Sequence, residues 1–184
     1  MSIRQATAAD CRNLAKIHVE ASQAAYRGIL SDHALSTLPV KAFETVWRQN
    51  LANPNRTDIV LEKDGNIVGF ASYGPLRDKD MDRENICELY GIYLVEECWG
   101  AGFGRILLEH ALNDLVGRGF RESVVWVLKD NEHARKFLER NGFEVEGATR
   151  TFASSIRSHL EEIRYRREIE PFVPPGEPGA STPT

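Results

Sequence analysis

The chain has 184 residues, a size typical of one domain, and its 42% hydrophobic and 27% charged residues are ordinary for a globular protein. The 23 basic and 27 acidic residues give a net charge of −4, which argues against sequence-independent binding of nucleic acid. No apolar run approaches the ~20 residues of a membrane span, and no signal-peptide pattern is present. Three cysteines without metal-ligand spacing favour a reducing compartment, so we expect a cytoplasmic protein without a metal site.

The first part of the chain predicts one strand, two helices and a hairpin. Thr7 can cap the first helix, since Asp10 three residues later completes a capping-box-like pair. Asp64-Gly65 separates two apolar, β-branched runs and is a strong signal for a tight hairpin turn. The predicted elements are a strand at 2–6, a helix that ends at 26–28, a helix from about 39, and strands at 57–63 and 66–73.

The second part alternates strands and helices and ends in a proline-rich segment. Residues 77–85 are highly charged and predict either a solvated loop or a loop that borders a substrate cleft. The predicted elements are strands at 86–94 and 122–128, helices at about 105–116 and 134–141, and strands at 143–146 and 161–169. Residues 171–184 contain five prolines and predict disorder, so we place the folded domain at 1–170 and a tail at 171–184.

The most informative segment is the loop after the strand at 86–94. Glycine recurs at Gly100, Gly102 and Gly104, directly before an amphipathic helix. Glycines allow the backbone to approach a ligand closely, and backbone N–H groups at a helix N-terminus bind phosphate. The loop is therefore a candidate pyrophosphate site. The alternative is a flexible turn between strand and helix.

Three nucleotide-binding loops compete as interpretations. A dinucleotide-binding G-x-G-x-x-G loop would need its last glycine one residue later, and the G-x-x-x-x-G-K-[ST] signature is missing. The third is the [QR]-x-x-G-x-[GA] loop of the GNAT acetyltransferases, which the segment Trp99-x-x-Gly102-x-Gly104 resembles. A second GNAT-like pattern covers residues 126–143, with Leu138 where that family usually has tyrosine.

The resemblance covers roughly residues 2–169 and implies an α/β (α+β) GNAT fold. That fold has a mixed central sheet of about seven strands with flanking helices, and its parallel fourth and fifth strands splay apart. The implied cofactor is acetyl-coenzyme A, whose pantetheine arm would pair with the backbone of Tyr93, Leu94 and Val95. Asn131 would lie near the thiol, its alternative role being to cap the next helix. The amides implied for the pyrophosphate belong to Gly100, Ala101, Gly102, Phe103, Gly104 and Arg105.

The resemblance also implies direct attack of an amine on the thioester, which requires positioning, an oxyanion site and a base. Its offset from the glycine loop makes Glu88 the candidate base; the alternative is an edge carboxylate paired with an arginine. The candidate acceptor-binding residues are Tyr26, Arg27 and Tyr73. With leucine at position 138, no residue is identified that would protonate the leaving thiolate.

We therefore expect an N-acetyltransferase that moves acetyl from acetyl-coenzyme A to a primary amine of a small molecule or a protein. Its partner is the amine acceptor, with no nucleic acid and no membrane, and a homodimer is left open. One alternative is a non-catalytic acyl-coenzyme A binding module. A second, from another class, is a dinucleotide-binding oxidoreductase domain, which the glycine spacing and the early hairpin disfavour.

Overall fold

The computed structural model of the chain describes residues 1–154 and 157–170. The tail proposed for 171–184 lies outside these residues, and the boundary at 170 stays a prediction. The strands are β1 Ser2–Gln5, β2 Thr57–Lys63, β3 Asn66–Pro75, β4 Ile86–Leu94, β5 Glu122–Leu128, β6 Glu144–Ser154 and β7 Arg157–Glu168. The helices are α1 Cys11–Ala25, α2 Asp32–Ser36, α3 Val40–Leu51, α4 Phe103–Gly117 and α5 Glu132–Arg140.

The seven strands form one mixed sheet in the order β1-β2-β3-β4-β5-β7-β6. The pairing of β4 with β5 is parallel, and the other neighbours are antiparallel. The parallel ladder joins only Ile86–Glu88 to Glu122–Val124, after which β4 and β5 are no longer paired. The predicted seven-stranded sheet with a parallel β4/β5 pair is confirmed.

The β2–β3 turn has the geometry that its sequence predicts. Asp64 has φ 51° and Gly65 has φ 78°, while Lys63 pairs with Asn66 across the turn. Two successive positive φ angles are typical of the type I′ turn, whose twist matches that of the flanking strands. The turn fixes the register of a hairpin that brings β3 next to β4.

A bulge in β4 changes which face of the sheet its side chains occupy. Gly91 pairs with Ser72 and Leu89 pairs with Tyr73, so Tyr90 is an extra residue on β4. Before the bulge, the odd-numbered Cys87 and Leu89 pack against α4, whereas after it the even-numbered Ile92 and Leu94 do so. Tyr93 and Val95 consequently face α1 and α3 on the other side.

Two apolar layers enclose the sheet. The layer shared with α4 and α5 is the larger, and the layer shared with α1 and α3 contains the fully buried Trp47 and Phe70. The first helix begins as predicted near Thr7, whose backbone N–H and hydroxyl both donate to the Asp10 carboxylate. The chain first makes a 3₁₀ turn at Ala8–Asp10 and then continues as α1.

Two parts of the fold differ from the sequence prediction. Helix α2 was not predicted; it has five residues, and Ser31 caps it by accepting a hydrogen bond from the N–H of Ala34 at 3.2 Å. Strands β6 and β7 are longer than predicted, because they continue to pair with each other beyond Glu162, the last β7 residue paired with β5, near the sheet edge where little apolar patterning is needed. Among the described residues, no helix is long and apolar enough to cross a membrane.

Candidate active site

The three glycines of the loop after β4 serve two different purposes. Gly100 and Gly102 have φ angles of 73° and 84°, in the left-handed region that side chains rarely adopt. Gly104 is helical, and a Cβ added there would lie 3.2 Å from the Phe137 ring, so this glycine lets α4 pack closely on α5. The hydrogen bond from Ile106 N–H to the Gly102 carbonyl, 3.1 Å long, starts the ladder of α4. The amides of the first helical turn have no carbonyl one turn earlier in the helix and remain available for an anion.

One carbonyl at the end of β4 faces the gap between β4 and β5. The N–H of Val95 donates to the Val68 carbonyl on the β3 side at 3.0 Å. In one peptide unit the N–H and C=O point in opposite directions, so the Leu94 carbonyl points away from β3 and into the gap. Tyr93 pairs with Phe70 of β3. Of the three residues predicted to bind pantetheine, Leu94 is therefore the one whose carbonyl is directed into the gap.

Trp99, which stands in the place of glutamine or arginine, connects the two sides of this gap. Its indole N–H donates to the Leu94 carbonyl at 3.1 Å. Its ring stacks on His133 of α5, with centroids 4.6 Å apart and 23° between the planes. His133 was not predicted as a site residue, because no local sequence pattern links it to Trp99, 34 positions earlier.

Asn131 caps α5, as its alternative role predicts. Its side-chain oxygen accepts the N–H of Ala134 at 3.1 Å, and only 7% of the residue is exposed. The cap fixes the side chain at the end of β5, on the opposite side of the gap from Leu94. Proximity of Asn131 to the cofactor thiol stays a prediction.

Glu88, the candidate base, is fully buried at the last position where β4 pairs with β5. Its carboxylate accepts three hydrogen bonds from Arg77: from the backbone N–H and Nε, both at 3.0 Å, and from Nη2. The side chain of Arg77 is 55% exposed, and the Glu88 carboxylate raises the pKa of this guanidinium. The pairing with an arginine, which was the alternative to a base, is therefore present, and Arg77 lies between Glu88 and solvent.

The charged segment that begins at Arg77 is attached to the sheet. Asp78 accepts hydrogen bonds from the indole of Trp126 at 2.9 Å and from Arg164 at 2.8 Å. Arg164 is only 3% exposed and also binds Asp80 and Glu146. The hydrogen bond from Trp126 joins the loop to β5, and the ion pairs of Arg164 join it to β7 and, through Glu146, to β6, so it is not simply a solvated loop.

The three candidate acceptor-binding residues lie in different surroundings. Arg27 is exposed and makes a two-pronged ion pair with Glu96, at 2.7 and 2.8 Å, which links the α1–α2 connection to the loop after β4. Tyr26 is partly buried and packs beside Val19 in a small cluster with α2. Tyr73 is 1% exposed in the layer beneath α4, and burial is the main cause of its raised pKa. The expectation for Tyr73 is corrected: the bulge in β4 lies opposite it, and its side chain is part of the core.

Two further residues from the sequence analysis are Arg105, which lies at the surface, and Leu138, which lies in the core. Arg105 is 71% exposed and pairs with Glu109 one turn along α4, at 2.7 Å. Leu138 is 4% exposed and packs in the layer with Phe143 and Leu107. A leucine at this position therefore fills core volume beneath α5.

Comparison with known proteins identifies the family. The sequence model of the acetyltransferase (GNAT) family matches residues 6–143. The uncharacterized N-acetyltransferase YuaI of Bacillus subtilis is 33% identical over 131 residues, which cover 71% of this chain and 73% of YuaI. The PaiA N-acetyltransferase of Thermoplasma acidophilum, solved with coenzyme A, has a TM-score of 0.73 at 19% identity and covers 91% of this chain and 98% of its own.

A second solved structure has the same fold. YncA of Salmonella typhimurium, described as a putative acetyltransferase with its cofactor acetyl-coenzyme A, has a TM-score of 0.66 at 22% identity, covering 96% of this chain and 98% of its own. These structures confirm the predicted fold, and they agree with acetyl-coenzyme A as the cofactor of the family. The dinucleotide-binding oxidoreductase alternative is wrong, since the family match includes the glycine loop. The chain is a member of the acetyltransferase (GNAT) family.

Proposed function

We propose that this chain transfers acetyl from acetyl-coenzyme A to a primary amine by direct attack of the amine on the thioester. The observation that carries the proposal is the gap that opens beyond Glu88 and Val124, with the Leu94 carbonyl directed into it beside the N-terminus of α4. An extended amide chain can pair with such an unpaired strand edge. A helix N-terminus next to that edge suits a pyrophosphate.

The residues of the loop fit this cofactor. Two left-handed glycines expose the backbone, and a Cβ added at Gly100 or Gly102 would meet no other atom of the described chain within 4 Å. The amides of 100–105 would hold the pyrophosphate, and the Leu94 backbone would hold the pantetheine arm. Asn131 would contact the thiol end from the other side of the gap. Bound acetyl-coenzyme A would supply an activated acetyl group for transfer.

Glu88 remains the proposed base, and its contact with Arg77 sets the condition for that role. Because Arg77 lies between the buried Glu88 carboxylate and solvent, its side chain has to move aside before a substrate ammonium can give its proton to that carboxylate. The side chain of Arg77 is 55% exposed and belongs to a loop, so it can move if it also leaves the ring of Tyr90, whose centroid lies 4.5 Å from its guanidinium. The acceptor would then reach Glu88 from the side of Arg77.

Two variants separate a base from a structural ion pair. Glu88→Gln is expected to lower turnover by roughly 10²–10⁴-fold with unchanged affinity for acetyl-coenzyme A, and to change the acidic limb of the pH–rate profile. Arg77→Ala leaves the carboxylate in place and should retain most of the turnover. Equal losses of turnover and of melting temperature in both variants would instead mean that the pair only stabilises the fold.

A panel of primary amines tests the proposed transfer and identifies the acceptor. An acceptor panel of a polyamine, free amino acids, an aminoglycoside and peptides with a free N-terminus or lysine, each with acetyl-coenzyme A, would be followed by release of free thiol. The expected result is turnover with at least one amine that disappears when the amine is N-acetylated beforehand. Binding of acetyl-coenzyme A without turnover on any amine would favour the non-catalytic acyl-coenzyme A binding module.

A further inference from the structure

The side chains of Trp99 and His133 together span the opening between β4 and β5. Trp99 follows β4 in the chain, whereas His133 lies in the first turn of α5, directly after β5. Both strands run in the same direction, so their C-terminal ends lie at the same end of the sheet. The stacked rings, 4.6 Å apart, therefore connect the two sides of the opening at its wide end.

The indole of Trp99 also occupies a hydrogen-bond acceptor on the open edge of β4. The Leu94 carbonyl points into the gap, and the indole N–H donates to it at 3.1 Å. Under the proposed function, the amide N–H of an incoming pantetheine arm needs an acceptor of this kind. A carbonyl oxygen can accept two hydrogen bonds, but here the indole lies on the gap side of the oxygen, where the pantetheine arm would also approach, so the two donors compete for the same space.

We propose that Trp99 and His133 form a latch that has to release the Leu94 carbonyl before the pantetheine arm pairs with β4. The inference rests on the proposed function, because it assumes that coenzyme A enters this gap. In the closed state the indole takes the position of the cofactor amide, and His133 holds the indole there by stacking. In the open state the indole N–H leaves Leu94, and the stack separates or shifts.

The latch opposes cofactor binding, so weakening it tightens binding. Trp99→Phe keeps an aromatic ring to face His133 but has no N–H, and the dissociation constant for coenzyme A is expected to fall about 5-fold, the equivalent of one net hydrogen bond. His133→Ala removes the stacking partner and is expected to lower the same constant by about 2- to 10-fold. His110→Ala, an exposed histidine on α4, is the matched control and should leave it unchanged.

Calorimetry with coenzyme A measures these constants, and tryptophan emission reports the movement of the indole. Wild-type protein should show a change in emission on saturation that is absent in Trp99→Phe, which retains Trp47 and Trp126. The melting temperature of each variant is measured in parallel, so that a change in affinity is compared only between folded proteins.

The outcomes separate the latch from the function on which it rests. Weaker binding by Trp99→Phe would mean that the indole holds the cofactor, and unchanged binding would mean that the indole does not compete with the cofactor for the Leu94 carbonyl; either result overturns the latch alone. An emission change that persists in Trp99→Phe would also overturn it, since another tryptophan would be the reporter. A wild-type protein that does not bind coenzyme A overturns the proposed cofactor, and the latch with it.

Discussion

A negative charge at Gly102 tests the proposed pyrophosphate site directly. Gly102 is the residue before α4, with φ 84°, and a Cβ there would point into open space. In Gly102→Asp a carboxylate would lie on the order of 5 Å from the phosphates, where two unit charges repel by about 3 kcal/mol at an effective dielectric constant of about 20. This corresponds to an increase of about 100-fold in the dissociation constant for acetyl-coenzyme A.

Gly102→Asn is the matched control, because asparagine has nearly the same size, is neutral, and tolerates positive φ better than most residues. Any backbone strain is shared by the two variants, so the difference between them isolates the charge. Calorimetry at low and at physiological salt should show a difference between the two dissociation constants that becomes smaller at the higher salt concentration, because salt screens the repulsion. Equal dissociation constants for the aspartate and asparagine variants would refute the placement of the pyrophosphate at this loop.

Three further predictions concern stability. Hydrogen bonds from Arg4 and Thr7 lower the pKa of Asp10 to about 2, below its unfolded value of 3.8. The resulting stabilisation is present at neutral pH and is lost as the pH falls from about 4 toward 2. In urea titrations Asp10→Asn should therefore lower the free energy of unfolding at pH 7 by about 2 kcal/mol and make that free energy less dependent on pH between about 4 and 2. Leu138→Tyr adds volume and a hydroxyl to a filled core layer and should lower the free energy of unfolding by about 1–3 kcal/mol without raising turnover; a rise in thioester turnover would show instead that an acid was missing. Deletion of residues 174–184, in the proposed tail, should leave the melting temperature and the cofactor affinity unchanged, and a clear drop in melting temperature would show that this segment docks.

Local patterns predicted most of the elements. The strands at 57–63, 86–94 and 122–128 coincide with β2, β4 and β5, because β-branched and apolar residues bounded by turn signals specify buried strands. The dipeptide Asp64-Gly65 predicted the β2–β3 turn, because a type I′ turn requires residues that tolerate positive φ angles. Helix α2, with five residues, has too few turns to show a periodic pattern.

The candidate site was less predictable, because its side chains meet through long-range contacts. Glu88 could be named from its offset to the glycine loop, but its partner Arg77 lies on the preceding loop, and no local rule pairs them. Asp78 and Arg164 are 86 residues apart and meet only because β7 lies beside β5. Tyr73 was expected at a cleft because it ends an apolar run, and only the register of β3 against β4 shows that it is a core residue.

The bulge at Tyr90 means that β4 contains one residue more than strict alternation needs. Removing Tyr90 would place Gly91 directly after Leu89, and every side chain from 91 to 95 would keep its present side of the sheet. Tyr93 would stay in the aromatic group around Phe70, and Leu94 would stay in the layer beneath α4. Deletion of Tyr90 is therefore expected to affect mainly the contacts of Tyr90 itself, whereas deletion of a residue after the bulge would exchange the sides of the side chains that follow it.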